Sequence, residues 1–175
     1  KEGYTHPLLL VVKLWTERSF NGKAFMQTIS SLWSVKGLQI SELEKNLFMF
    51  RFRDAMDEDK ILAGEPWHFD RQVLVLKSIE GYEQPSSIEL HTTPFWVQIR
   101  DLPFDYRDLD IAEVIRRRLG SVMEVYQDDE WELLSFMRVR VGLDLQEPLR
   151  STLSISINET VSFKVVFKRG CAKVQ

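Results

Sequence analysis

Cations and tryptophans recur at alternate positions along several apolar segments of this 175-residue chain. Alternate residues of a β-strand point to opposite faces of a sheet. If these segments are strands, one face is apolar and the other carries cations beside a tryptophan. Lys and Arg contact phosphate and Trp stacks on a base, so the pattern is typical of a surface that binds single-stranded nucleic acid. The residues that we predict to bind are Lys13, Trp15, Arg51, Arg53, Lys77, Arg100, Arg138 and Arg140.

The same cations also fit an ordinary solvated surface. Arg and Lys are common on the solvent side of a half-buried strand, and Arg138 or Arg140 could pair with an acidic residue across strands. Two such faces could also pack on each other. The aromatic run Phe48-Met49-Phe50 lacks the glycines of the RNA recognition motif signature. Both interpretations, a binding face and plain surface charge, stay open at this point.

The chain offers little to catalysis or to metal binding. His6, His68 and His91 have no second histidine or cysteine at ligand spacing, and the single cysteine, Cys171, excludes an internal disulfide and a cysteine zinc site. A serine–histidine–aspartate context, a paired-carboxylate motif and a glycine-rich phosphate loop are missing from the sequence. We therefore predict a protein that is not an enzyme and that uses no cofactor and no metal.

The elements that position the cations can be predicted from hydrophobic periodicity. In the first half, apolar or alternating runs predict strands over 8–15, 38–43, 46–53 and 72–79. One helix is predicted between an N-cap at Asn21 and a C-cap at Gly37, and a second over 57–63. The first helix would bury Phe25, Ile29, Leu32 and Trp33. The order β-α-β-β-α-β is that of a ferredoxin-like fold.

The second half repeats part of this order. Strands are predicted over 95–100, 122–127, 136–143, 153–157 and 161–167, with a helix over 109–119, which gives β-α-β-β-β-β. Residues 82–94 are richer in Pro, Ser and Thr and are predicted to be a linker. We thus expect an α+β protein of two ferredoxin-like or RRM-like lobes with antiparallel sheets, residues 1–81 and 95–175, the second packed on the first.

Several ordered motifs resemble one family. They are Leu14–Asn21, Asn46–Arg53, Leu62–Asp70, Val73–Lys77, Phe95–Pro103 and Phe136–Asp144. Over nearly its whole length the chain resembles a plant domain of unknown function, found in the first open-reading-frame protein of LINE-type retroelements and in retroelement-derived host proteins. In that family a CCHC zinc knuckle commonly follows. Cys171 stands where the first knuckle cysteine would be, but Val174 occupies the place of the second, so no knuckle is expected within this chain.

The resemblance implies a non-enzymatic module that helps to package or chaperone RNA. The formal net charge of −3 argues against strong binding driven by bulk charge, so we expect weak binding of single-stranded RNA or another nucleic acid. Edge strands and the acidic balance leave an alternative open, a scaffold for protein interaction or self-association. The sequence shows no signal peptide and no apolar run of membrane-spanning length. We therefore expect an intracellular protein, in the nucleus or the cytoplasm, with no membrane partner.

Overall fold

The computed structural model describes residues 7–100, 122–126, 136–148, 152–156 and 158–166. The chain divides into two compact units, Lys1–His91 and Thr92–Gln175. Within the described ranges, two helices and two five-stranded antiparallel sheets form a mixed α/β structure. This agrees with the predicted combination of helices and antiparallel sheets.

The first unit contains every strand and helix that is predicted for it. In chain order these are β1 (Leu8–Leu14), α1 (Gly22–Trp33), β2 (Gln39–Glu44), β3 (Leu47–Phe52), α2 (Ala55–Ala63), β4 (His68–Phe69) and β5 (Gln72–Ile79). The strands lie in the order β2-β3-β1-β5-β4. Strand β4 is the one addition, since two residues are too few to show an alternating pattern. A short 3-10 turn, Pro85–Ser87, lies in the segment predicted to be a linker.

Helix α1 begins where the sequence predicts but ends earlier. The side chain of Asn21 accepts hydrogen bonds from the backbone N–H groups two and three residues further on, at 3.0 and 3.1 Å, as an N-cap does. The helix ends at Trp33 because Ser34 takes a left-handed conformation with φ of 48°. The predicted C-cap at Gly37 is therefore wrong. Gly37 has φ of 69° in the turn before β2, a conformation that suits glycine.

The core of the first unit lies between α1 and one face of the sheet. Phe25 and Ile29 are completely buried, and the ring of Phe25 lies 4.5 Å from that of Phe48, centroid to centroid. Leu32, predicted to be on the buried side, is instead 54% exposed. The buried side of α1 carries every fourth residue, namely Phe25, Ile29 and Trp33. Leu32 precedes Trp33 and therefore lies about 100° away from it around the helix axis.

The second unit has the same strand order as the first. Its strands are β6 (Thr92–Arg100), β7 (Val122–Tyr126), β8 (Phe136–Asp144), β9 (Thr152–Ser156) and β10 (Ser162–Val166). They lie in the order β7-β8-β6-β10-β9, which reproduces the order of the first sheet when the strands are matched along the chain. The helix predicted over 109–119 lies outside the described residues.

Strand β6 begins at Thr92, three residues before the predicted start at Phe95. The prediction took Pro94 to be part of the linker. Pro94 is instead paired with Gly142 on β8, whereas the described pairing of β6 with β10 is confined to 98–100. A proline has no N–H to donate, so it is uncommon within a strand, and the sequence alone gave no sign that β6 includes it.

Candidate nucleic-acid interface

The predicted cations of the first unit share the sheet face opposite the helices. Residues paired directly across strands have their side chains on one face, and Arg51 is paired with Leu9, Lys77 with Val11, and Lys13 with Val75. Arg51 and Lys77 are exposed and Lys13 is half-buried. The strand parity read from the sequence therefore placed these three cations on the correct face.

The centre of that face is shielded from solvent. Val11 is 0% exposed, Val75 1% and Ile79 5%, although all three point away from the helices. A nucleic-acid strand that stacks on a sheet needs side chains that are open to solvent along its path. The burial of these residues removes them from any contact with a nucleic-acid strand and limits contact on this face to its solvent-accessible side chains, which include Arg51, Lys77 and Lys13.

Lys13 and Trp15 come together at the end of β1. The Nζ atom of Lys13 lies 5.5 Å from the centroid of the Trp15 ring, within the range of a cation–π contact. Both residues are half-buried and line a cleft of about 610 Å³ together with Thr16, Glu17, Arg18 and Gln72. The cleft thus presents an aromatic ring and cations to solvent at the same place.

Main-chain hydrogen bonds fix the loop that carries Trp15. The N–H of Trp15 donates to the carbonyl of Val73 on β5 at 2.9 Å, and the Asn46 side-chain amide donates to the carbonyl of Thr16 at 2.8 Å. The N–H of Arg18 donates to the Thr16 hydroxyl at 3.1 Å. These bonds tie the start of the loop to β5 and to the β2–β3 turn, so the cleft has a preformed wall.

A second cleft adjoins the first. It measures about 320 Å³ and shares Thr16, Arg18 and Gln72 with its neighbour. The side chains that it adds are those of Leu14, Ser19, Phe20, Phe69, Asp70 and Arg71. Phe20 anchors this part of the loop, because its ring lies 5.8 Å from that of Phe25 and 6.4 Å from that of Phe69. We refer to the two clefts together as the β1–α1 cleft.

The hairpin turn between β4 and β5 positions Arg71 in the β1–α1 cleft. Asp70 and Arg71 form this two-residue turn, with φ of 48° and 63°. Positive φ at both positions matches the twist of a tight hairpin, and Gly is the residue that suits the second position best. An arginine there has to adopt a conformation that non-glycine residues rarely take. This mismatch with the favoured turn sequences is why the turn was not predicted.

The cations of the β1–α1 cleft are available to an anion. The β1–α1 cleft is lined by three cations, Lys13, Arg18 and Arg71, and by two carboxylates, Glu17 and Asp70. The charged groups of the cleft therefore sum to one positive charge. None of these three cations forms an ion pair with any residue that the structure describes. Arg18 and Arg71 were missed in the sequence because they lie in loops, where strand parity assigns no face.

Arg53 lies at a different place. It follows β3, is exposed, and its side chain lies against Gly37 in the turn between α1 and β2; a Cβ atom on Gly37 would collide with it. Arg53 does not line the β1–α1 cleft. The structure therefore brings Lys13 and Trp15 together and leaves Arg53 at the α1–β2 turn.

In the second unit, Arg140 is withdrawn from solvent. Its side chain is 7% exposed, and Trp96, paired directly with it across β6 and β8, is 5% exposed. The side chains of Arg100 and Arg138 lie outside the described part of the structure; their backbones pair with Phe136 and Gln98, respectively. Arg140 consequently presents little of its side chain to a nucleic acid in solution.

Clusters of metal ligands and membrane-spanning helices are both absent from the described residues. In these ranges no three His, Cys, Asp or Glu side chains come together as ligands for a metal ion. Neither described helix has the length and apolar character that a membrane span requires. The buried carboxylate of Glu58, 5% exposed, accepts a hydrogen bond from the Ser78 hydroxyl at 2.6 Å and joins α2 to β5.

The β1–α1 cleft lies within a segment that is similar to a known protein family. No curated protein and no solved structure matches the chain significantly. A family model does match, and its range runs from the residue before β1 to the end of the 3-10 turn, so it includes both helices and both parts of the cleft. Residues 7–87 of the chain match the family model of a domain of unknown function, DUF4283.

Proposed function

We propose that this protein is a non-enzymatic module that binds single-stranded RNA, or another single-stranded nucleic acid, weakly and with little sequence preference. The observation that carries the proposal is the contact of Lys13 with the half-buried ring of Trp15 in an open cleft of about 610 Å³. A base would stack on the indole, and the neighbouring cations would contact the phosphates on either side of it.

Residues outside the cleft support the same proposal. Arg51 and Lys77 are exposed on the sheet face that carries Lys13 and would extend the contact along a strand of RNA. The net charge of the chain is −3, so attraction would come from this local group of cations and would be modest. Binding of this kind weakens steeply with salt, because each phosphate contact releases counterions.

The origin and the fold family form part of the proposal. We infer that both units are ferredoxin-like and that the protein derives from a retroelement of the LINE type in plants. The strand order β2-β3-β1-β5, with α1 after β1 and α2 after β3, supports the first inference for the first unit. The sequence motifs given above support the second. In such a setting the module would package or chaperone RNA in a ribonucleoprotein.

Fluorescence anisotropy with a short labelled single-stranded RNA, titrated across salt concentrations, tests the proposal. Trp15→Leu should weaken binding about tenfold, because stacking contributes about 1–3 kcal/mol per base. Lys13→Gln should flatten the slope of log affinity against log salt by about 0.7, the value for one phosphate contact on a single strand. Lys45→Gln is the matched control, since Lys45 is exposed in the turn between β2 and β3, outside the cleft.

Two outcomes would overturn the proposal. One is that the unmodified chain does not bind RNA even at low salt. A mass that rises with concentration in light scattering would then support the alternative function, a scaffold for self-association. The other is that Trp15→Leu and Lys13→Gln bind RNA as the parent and the Lys45→Gln control do.

A further inference from the structure

The second part of the β1–α1 cleft has a chemistry that the proposed function leaves unused. It is lined by two guanidinium groups, Arg18 and Arg71, and it joins the Trp15 part through Thr16, Arg18 and Gln72. We propose that Arg18 and Arg71 form a phosphate subsite for the nucleotide whose base stacks on Trp15. This inference rests on the proposed function and names where the backbone of the bound strand is held.

The backbone conformation of Arg71 is the first argument. Its φ of 63° lies in the left-handed region, where a non-glycine residue carries conformational strain. The preceding residue is Asp70, and Asp-Gly is among the sequences that suit a two-residue hairpin turn best. An arginine at this position therefore makes the turn worse while placing a guanidinium in the cleft. Binding of an anion by the Arg71 guanidinium would explain why an arginine occupies this strained position.

The chemistry of the two side chains is the second argument. A guanidinium presents a planar set of N–H donors that matches two phosphate oxygens at once. Arg18 and Arg71 are both exposed, and within the described part of the chain neither is engaged by a carboxylate. Their donors are therefore free to bind an anion that enters the cleft.

The position of Arg18 is the third argument. Arg18 lines both parts of the cleft, so a group bound to it remains adjacent to the Trp15 ring. A nucleotide has the matching layout, because an aromatic base and a phosphate are joined through one sugar. The carboxylates Glu17 and Asp70 lie in the same cleft and oppose an anion, which limits the affinity and favours a ligand that is held by its base as well.

Two substitutions test the subsite by RNA anisotropy across salt. Arg18→Ala removes one guanidinium. Arg71→Gly removes the other and gives the turn its favoured residue, so the variant should melt at the same temperature as the parent or higher. Each should weaken binding at low salt about tenfold, as expected for losing charge-assisted hydrogen bonds, and should flatten the salt slope by about 0.7. Lys60→Ala is the control, because Lys60 is exposed on α2 and does not line the cleft.

The double variant Trp15→Leu/Arg71→Gly tests whether base and phosphate belong to one nucleotide. Two groups that hold the same nucleotide should be coupled, so that the double variant loses less affinity than the product of the single losses. If the parent binds RNA and the arginine variants bind equally well, or if the losses multiply independently, the subsite is wrong and the proposed function stands. If the parent binds no RNA, the proposed function fails, and the subsite fails with it.

Discussion

The hydrogen bond between Ser78 and Glu58 shows how a single pair of residues joins helix α2 to the first sheet. The hydroxyl on β5 donates to a carboxylate that is 5% exposed on α2, at 2.6 Å. A buried carboxylate that loses its donor keeps the cost of desolvation without the compensating bond. This contact is separate from the β1–α1 cleft and concerns stability alone.

We expect Ser78→Ala to lower the free energy of unfolding by about 1–2 kcal/mol, because it removes a hydrogen bond to a charged group. Urea denaturation followed by circular dichroism measures the change. Ser78→Thr keeps the hydroxyl and serves as the control, with a smaller loss. Equal unfolding free energies for the parent and Ser78→Ala would show that the bond does not stabilise the fold.

At the residue scale, the alternation of side chains along a strand was enough to predict which sheet face a residue lies on. Site residues that lie in loops were missed, because no such rule applies to them. The placement of Lys13, Arg51 and Lys77 on one face follows from alternation, and the structure agrees. Parity could not show that Val11 and Val75 on the same face are shielded, since alternation assigns a face and not its exposure. Arg71 belongs to the site through a turn whose conformation its sequence does not favour.

At the scale of elements, helix α1 depends on its N-cap. The Asn21 side chain accepts hydrogen bonds from two backbone N–H groups. Asn21 is also the last residue of the loop that forms the β1–α1 cleft. We expect Asn21→Ala to destabilise the protein by about 1 kcal/mol, since two donors of the first turn lose their protein partner. Thermal unfolding measures this, with Asn21→Asp as the control that retains a capping oxygen. A melting temperature unchanged in Asn21→Ala would contradict the capping role.

Some helices and strands could be predicted from the sequence and some of their ends could not, for different physical reasons. The strands β1, β3 and β5 were predictable because each alternates or is apolar over at least six residues. The end of α1 was not, because a serine and not a glycine takes the left-handed conformation that stops it. The start of β6 was not, because a proline is uncommon within a strand, whereas Pro94 is part of β6 and is paired with Gly142.

At the scale of the whole molecule, the first unit has an exposed segment directly after its last strand, β5. Tyr82 follows β5 and is 83% exposed, and its neighbours in 80–84 are exposed as well. Exposed segments outside helices and strands are preferred sites of proteolysis. We expect brief digestion with chymotrypsin to cut after Tyr82 and to release a fragment that mass spectrometry identifies by that terminus. Tyr82→Ser should abolish this cut, and survival of the bond at Tyr82 while both units are degraded would contradict the prediction.

The repeated strand order also belongs to this scale. The two sheets have the same order, whereas the sequence offers a repeat of element order without a repeat of residues. Hydrophobic alternation specifies strands but not their neighbours, and the structure pairs β1 with both β3 and β5. The connection between β8 and β9, residues 145–151, has seven residues, fewer than the nine of α2.

Strand β2 has a consequence for the behaviour of the protein in concentrated solution. It forms an edge of the first sheet, every residue of it except Ile40 is exposed, and its register shifts between Glu42 and Glu44. An open edge is a template on which further chains can grow into fibrils. Repulsion between the carboxylates of neighbouring copies and the misfit of the shifted backbone both oppose such growth, so this edge strand favours the dispersed protein over fibrils.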